Sequence, residues 1–474
     1  MKNVPHNSML QWQSDARFLR LGQRGRLARG QGLGLLDPCT LPLWLVLASQ
    51  ACLYFEVLSS SAQLGLLLRE GETNFLSSAV NTLLLCVLAA NFLQRFWKTT
   101  NLQRAYLAVL GLAFAYNAFI SFSPQAACWA FAKYLVPVLA LFHGYIYRDR
   151  LPQLLRAFLV LVLANDAFQC VNYAFYLTGN TTLYYQVEGN VIRAGGLCGA
   201  VGFGAMNLFA AILADRLLKN TKLAFLLFAF ALSAITLKVW AIVLVYVLAR
   251  IAHNRRYQVG LLCIVALVGV PAAIALGTSG LSAISDEMLT RATERIDAYV
   301  VHQESARNES YRVMWESLTG GNLFGEGLGY FGGPASIRYD SPAYWDYDFQ
   351  WHDTGLLVTT DTYYPHLFVE MGLLGGLWYL AMFFLPWFAS RHRSVSPHRR
   401  RAYLWLVGIL FWDSVASFAI QDITYAFSST VFLYGLAATN VPAEVTGLRA
   451  QVWPSVTRWN RSPMHRRWQK GCAE

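Results

Sequence analysis

The sequence predicts an all-α, polytopic transmembrane bundle of about 12 spans, with one large extracytoplasmic loop between spans nine and ten. Three observations predict it. The 474 residues are 55% hydrophobic and 14% aromatic but only 14% charged, where a soluble domain carries about 25% charge. Windows of about 20 apolar residues, long enough to cross a bilayer, recur along the chain. The basic residues lie in short segments between those windows and in both tails, the pattern of cytoplasmic loops under the positive-inside rule.

In order, the apolar windows fall at 41–58, 75–94, 105–122, 126–147, 152–177, 198–215, 223–236, 239–252, 257–277, 367–389, 402–420 and 424–441. Basic clusters follow alternate windows: Arg95, Lys98 and Arg104; Arg148 and Arg150; Arg216, Lys219 and Lys222; Arg250, Arg255 and Arg256; Arg391, Arg393 and Arg399 to Arg401. The stretch 223–252 is long enough for one tilted helix. Its two flanks are both basic, so a single span would strand one of them outside. Two short helices meeting near Leu237-Lys238 keep both flanks inside and turn Lys238 outward. An even number of spans places both termini in the cytoplasm.

The expected organisation is a basic tail over 1–38, spans over 39–277, a loop over 278–366, spans over 367–441 and a second basic tail over 442–474. The first tail has no apolar core or small-residue cleavage site, so no cleavable signal peptide is expected. The net charge of +11 belongs to membrane topology and is not read as nucleic-acid binding. The eight cysteines avoid the long loop, so neither a disulfide framework nor a cysteine metal site is expected.

The loop is acidic, with Asp340, Asp346, Asp348, Asp353 and Asp361. It is also aromatic, as in YFGGPASIRYDSPAYWDYDFQW. Loops this long are usually functional. Its first motif, "YRVMWESL", predicts a short amphipathic helix bearing Arg312 and Trp315. "GGNLFGEGLGYFGG" follows, with glycines that allow sharp turns or a close approach of backbone to a ligand. Asp346-Tyr-Asp348 has the form of a metal-binding pair. No nucleotide sugar reaches this side of a membrane, and no metal is expected.

Three cations on the outer side invite an anionic ligand. Arg193 opens a glycine-rich span, Lys238 sits at the short hairpin, and Arg312 lies on the loop helix. Guanidinium groups match phosphate oxygens two at a time, so the three together suit a diphosphate. The remaining feature is "YYPHLFVEMGLLGGLWY", where the loop returns to the membrane. An acid inside a span costs several kcal/mol, about 2.5–3.5 on insertion scales. His366 and Glu370 share a helix face at i, i+4. The imidazole has the pKa of a general base near neutral pH, and Glu370 is placed to orient it. An interfacial histidine capping the helix start is the alternative.

The order of these features resembles the O-antigen ligase and O-antigen/exopolysaccharide polymerase superfamily of bacterial membrane glycosyltransferases. The likeness covers roughly 190–390 and rests on R-x-x-W, then G-x-G-x-G, then P-H-x-x-x-E-x-G-x-x-G. Where that family carries Ser-Arg at the hairpin, this chain has Leu237-Lys238. The resemblance implies an enzyme of the inner membrane that needs no cofactor. Its donor is a glycan on undecaprenyl diphosphate. Its acceptor is a second lipid-linked glycan for a polymerase, or lipid A-core for a ligase. His366 and Glu370 would be catalytic, and Arg193, Arg312 and Lys238 would hold the diphosphate. The other partners implied are membrane lipid and polysaccharide export or chain-length regulator proteins. A lipid-linked-glycan flippase is the alternative from another class, expected to show repeats and broken helices with charge at the bilayer midplane.

Overall fold

A computed structural model describes residues 37–60, 75–178, 186–188, 191–251, 306–349, 362–390 and 395–437. The span expected at 257–277, both tails, and the loop portions 278–305 and 350–361 with Asp353 and Asp361 lie outside the described residues.

Helix α1 runs Leu41–Ser60, α2 Phe75–Arg95, α3 Asn101–Phe119, α4 Pro124–Ile146 and α5 Leu151–Leu177. A three-residue antiparallel hairpin follows, β1 (Gln186–Glu188) against β2 (Val191–Arg193). Helix α6 (Gly199–Leu213) widens into a π turn over Ala214–Leu218, and then come α7 (Thr221–Ser233) and α8 (Leu237–Ile251). The loop contributes α9 (Ala306–Thr319), α10 (Pro334–Arg338) and α11 (Ala343–Asp346). The chain returns as α12 (Tyr363–Ala381), α13 (Leu385–Ser390), α14 (Pro397–Ser414), α15 (Ile423–Tyr425) and α16 (Val431–Ala437).

Among the described residues, five helical segments are long and apolar enough to cross a membrane: Leu76–Lys98, Pro124–Ile146, Arg148–Leu177, Gly199–Leu218 and Tyr363–Phe388. Leu41–Phe55, Thr221–Ser233 and Ile423–Ala437 are apolar but shorter. The coarse expectation of a helical membrane bundle therefore holds.

Local chemistry sets several helix starts. Ser123 accepts from the Ala126 N–H ahead of Pro124, and Ser396 accepts from the Arg399 N–H ahead of Pro397. In each case a hydroxyl satisfies an orphan donor, and the proline has no N–H to lose. Thr100 and Gln103 form a reciprocal capping box on α3.

Residues 223–251 form two helices, as the basic flanks require. Ile235 takes a left-handed conformation (φ 49°) between them, and Trp240 Nε1 donates back to Leu232 O at 2.8 Å. The rings of Phe228 and Tyr246 meet at 5.3 Å, whereas one straight helix would separate them by about 27 Å.

The interior is shared by α4, α5, α6, α12, α14 and α16, with Phe142, Phe158, Phe209, Tyr379, Tyr403 and Phe432 buried in one cluster. A polar line on α5 runs through it. Asn165 donates to Gln50 at 3.1 Å and accepts from the Leu197 N–H at 3.0 Å. Gln169 accepts from the N–H groups of Gly195 and Gly196 at 3.1 and 2.9 Å. The bend after Arg193 is thus held by side chains together with the Ala194 N–H, which donates to Ser233 O at 3.0 Å. Buried backbone donors need such partners.

The span expected from Leu367 to Phe388 is present as an apolar helical segment of membrane length, and α12 within it is broken at Gly372, which has φ 67° and ψ 179°. Segment 322–327 of the glycine-rich loop fills the break. Glu326 and Gly327 donate to the carbonyls of Val369 and Glu370 at 3.0 and 3.3 Å. The N–H groups of Leu373 and Leu374 donate to Asn322 O and Leu323 O at 3.2 and 2.9 Å. Irregular backbone is tolerated at such depth only where protein satisfies it, and here loop and helix satisfy each other.

Candidate active site

Helix α12 delivers His366 and Glu370 to the interior, 2% and 3% exposed. Both line a small cavity of about 20 Å³, together with Trp129, Ala130, Lys133 and Tyr134 of α4, Gly333 to Ala335 at the start of α10, and Gln421. The glycine-rich loop makes the wall behind the histidine. Gly332 has φ +75°, and a Cβ built on it would fall 2.2 Å from His366 Nε2. Only glycine lets the backbone pass so close. Phe418 packs edge-on against the imidazole at 4.5 Å, and Phe331 at 6.0 Å.

The Glu370 carboxylate lies beside the Tyr134 hydroxyl and the backbone N–H groups of Gly329 and Phe331, with the Lys133 ammonium near enough to attract it. Lys133 is drawn to Asp422 as well. Glu370 therefore faces the backbone on either side of Tyr330, which leads into the Gly332 wall.

Lys133 is the residue the sequence reading passed over. It stands inside the span Pro124–Ile146, where a cation is expensive and by default functional. The signal was a lysine that is the one Asp, Glu, Lys or Arg in the window 126–147. Trp129 and Lys133 are i, i+4 on α4, the same spacing as His366 and Glu370 on α12.

The three expected diphosphate cations lie outside this cavity's lining. Lys238 forms a 2.7 Å ion pair with Asp413 and donates to Ala416 O at 3.2 Å. Arg193 donates to Ala234 O at 3.3 Å, beside the hairpin turn that leads to Lys238. Segment 413–422 connects these groups to the histidine: Asp413 and Ala416 hold Lys238, Phe418 packs on His366, and Gln421 lines the cavity. The Tyr311 hydroxyl donates to Val415 O at 2.7 Å, bringing α9 to the same segment.

Arg312 is already engaged. It pairs with Glu309 and with Glu316, the latter at 2.7 Å, and donates to the carbonyls of Tyr347 and Asp348 at 2.8 and 3.2 Å. Hydrogen bonding from Glu309, ahead of the weaker effect of Glu316, holds its guanidinium above the ordinary arginine range. It ties α9 to the end of the aromatic segment. Asp346 accepts from the Tyr330 hydroxyl at 2.5 Å. Among the described residues, no group of three or more His, Cys, Asp or Glu side chains is gathered as metal ligands.

The opposite end of the bundle is basic. Burial, followed by the charges of Lys219, Arg216, Arg401 and Arg250, keeps His398 below the usual histidine range. Arg250 and Arg216 share Asp215 at 2.9 and 3.5 Å.

The sequence matches no known protein-family model, and no curated protein is significantly similar to it.

Proposed function

We propose that the chain is a membrane glycosyltransferase that polymerises undecaprenyl-diphosphate-linked glycan units at the outer face of a bacterial inner membrane. The observation that carries the reading is His366, buried in a cavity with Glu370 and Lys133 where the loop meets the helices. The clustered cations around His398 at the other end support assigning that end to the cytoplasm.

In this reading His366 takes the proton of the acceptor hydroxyl as its oxygen attacks the anomeric carbon of the donor. The bond from that carbon to the phosphate oxygen breaks, and undecaprenyl diphosphate leaves as an anion. Arg193 and Lys238 stabilise the departing charge; Lys238 is ion-paired with Asp413 and gives one of its three donors to Ala416 O. Arg312 anchors α9 and the loop. A ligase would use the same groups on a different acceptor, lipid A-core.

A lipid-linked-glycan transporter is the second reading, and the break in α12 beside Glu370 favours it, since transporters place charge at discontinuous helices. Two features favour the enzyme. The break is filled by the backbone of 322–327. Glu370 stands about 10 Å along α12 from Tyr363 at 1.5 Å per residue, nearer the helix end than a midplane site requires.

The test uses purified protein in proteoliposomes with lipid-linked oligosaccharide from cells lacking the gene, with lipid A-core added in a parallel arm. A ladder of longer lipid-linked chains supports the polymerase. Glycan appearing on lipid A-core shifts the assignment to ligase. Translocation without any new glycosidic bond makes it a transporter.

A further inference from the structure

We infer that Trp129 and Arg338 form a sugar-binding subsite at the mouth of the His366 cavity, holding a pyranose ring of the acceptor glycan against the base. This inference rests on the proposed glycan transfer and gives that site its acceptor contacts.

Trp129 lines the cavity with His366, yet it remains 40% exposed. Its ring is therefore at the opening and not sealed in the core. Arg338 is the last residue of α10, the short helix whose start forms the facing wall of the cavity. Its guanidinium stands over the Trp129 ring at 5.4 Å and near the Tyr339 ring at 5.9 Å. It is exposed, and among the described residues no carboxylate lies within ion-pair reach of it. Lys238 and Arg312 differ in this respect, since each already holds carboxylates.

An indole face and a planar fork of donors have complementary uses for a sugar. The C–H face of a pyranose lies flat on the negative face of an aromatic ring. Neighbouring hydroxyls, or a carboxylate on an acidic sugar, accept two parallel N–H bonds from guanidinium. Trp129 and Lys133 project from one face of α4, and both line the cavity with His366. The stacking contact holds the acceptor ring, and the arginine sets which sugar fits.

The experiment compares Trp129→Ala, Trp129→Tyr, Arg338→Gln and Arg338→Lys with the unaltered protein in proteoliposomes, at matched protein level, varying acceptor lipid-linked oligosaccharide. Trp129→Ala and Arg338→Gln are expected to raise the acceptor KM by about tenfold, the loss of one aromatic or charged contact, with kcat little changed. Trp129→Tyr should restore most of the loss, because stacking needs only an aromatic face. Arg338→Lys should restore little, because an ammonium lacks the fork. An acceptor KM unmoved by both Trp129→Ala and Arg338→Gln overturns the subsite. So does reduced membrane insertion with normal KM, which would make Trp129 an interfacial anchor. If the unaltered protein forms no glycosidic bond, the proposed transfer fails and the subsite fails with it. An active protein with indifferent variants removes the subsite alone.

Discussion

Gly332 determines where the His366 imidazole can sit. A methyl group there would meet Nε2 at 2.2 Å, and φ +75° is costly for any residue with a Cβ. Gly332→Ala is expected to lose about 1–2 kcal/mol from the backbone alone, and to lose most turnover because the ring must move. Thermal melting beside turnover separates the two effects. Arg312 behaves differently. Its pairs with Glu309 and Glu316 are partly exposed and contribute little, so its bonds to the carbonyls of Tyr347 and Asp348 carry its role. Arg312→Ala should therefore open the loop to limited proteolysis between α9 and α12 before it changes the affinity for donor. Donor affinity falling with an intact proteolysis pattern would return Arg312 to the diphosphate. Much of this scale was legible in the sequence. His366 and Glu370 were marked by an acid within an apolar span, and the i−3 and i+4 glutamates flanking Arg312 could be counted. Lys133 was equally visible as a lone charge in 126–147. Its proximity to Glu370 was not, because it depends on how α4 packs against α12.

The element that organises the site is α12, and its break was not legible. Nineteen residues from Tyr363 to Ala381 are apolar enough to read as one helix, and glycine in a membrane span is common. Nothing local distinguishes Gly372 from Gly375. The difference is tertiary: segment 322–327 supplies donors and acceptors to Gly372's neighbours, and a Cβ at Gly372 would come 2.4 Å from the Gly325 nitrogen. The loop glycines suit sharp turns or a close approach to a ligand; in the structure Gly325, Gly327 and Gly329 stand against helices α3, α4 and α12 and the turn between α3 and α4. Gly372→Ala is expected to cost well over 1–3 kcal/mol, since its backbone region is essentially glycine-only, and to leave little protein in the membrane. Gly375→Ala, whose nearest neighbour would be Met371 Cβ at 3.2 Å with no positive φ, should be milder by comparison. Equal tolerance of both, measured as folded protein after detergent extraction, would mean that the break is not needed for folding. The α7–α8 hairpin was legible for a different reason. Charge at both flanks of 223–252 constrains topology without knowledge of any contact.

At the scale of the whole molecule, charge and cavity lie at opposite ends of one bundle. The proposed enzyme requires the cavity end to face outward, where a diphosphate-linked donor would be presented. Reporter fusions after Arg104, Arg150 and Arg401 should read cytoplasmic, and a fusion at Asp340 extracytoplasmic; an Asp340 fusion on the cytoplasmic side would separate donor from site. Composition made the membrane bundle legible, because apolar windows of helix length have few other uses. It could not show which spans pack together, since that depends on side-chain fit among equally apolar faces. The central claim is that His366 accepts the acceptor's proton. Its most direct test is single-turnover transfer by His366→Gln in proteoliposomes, with donor binding measured alongside. Glutamine keeps a hydrogen bond but cannot take the proton. The account predicts donor binding near that of the unaltered protein and transfer slower by about 10²–10⁴-fold. Transfer at the unaltered rate would contradict it.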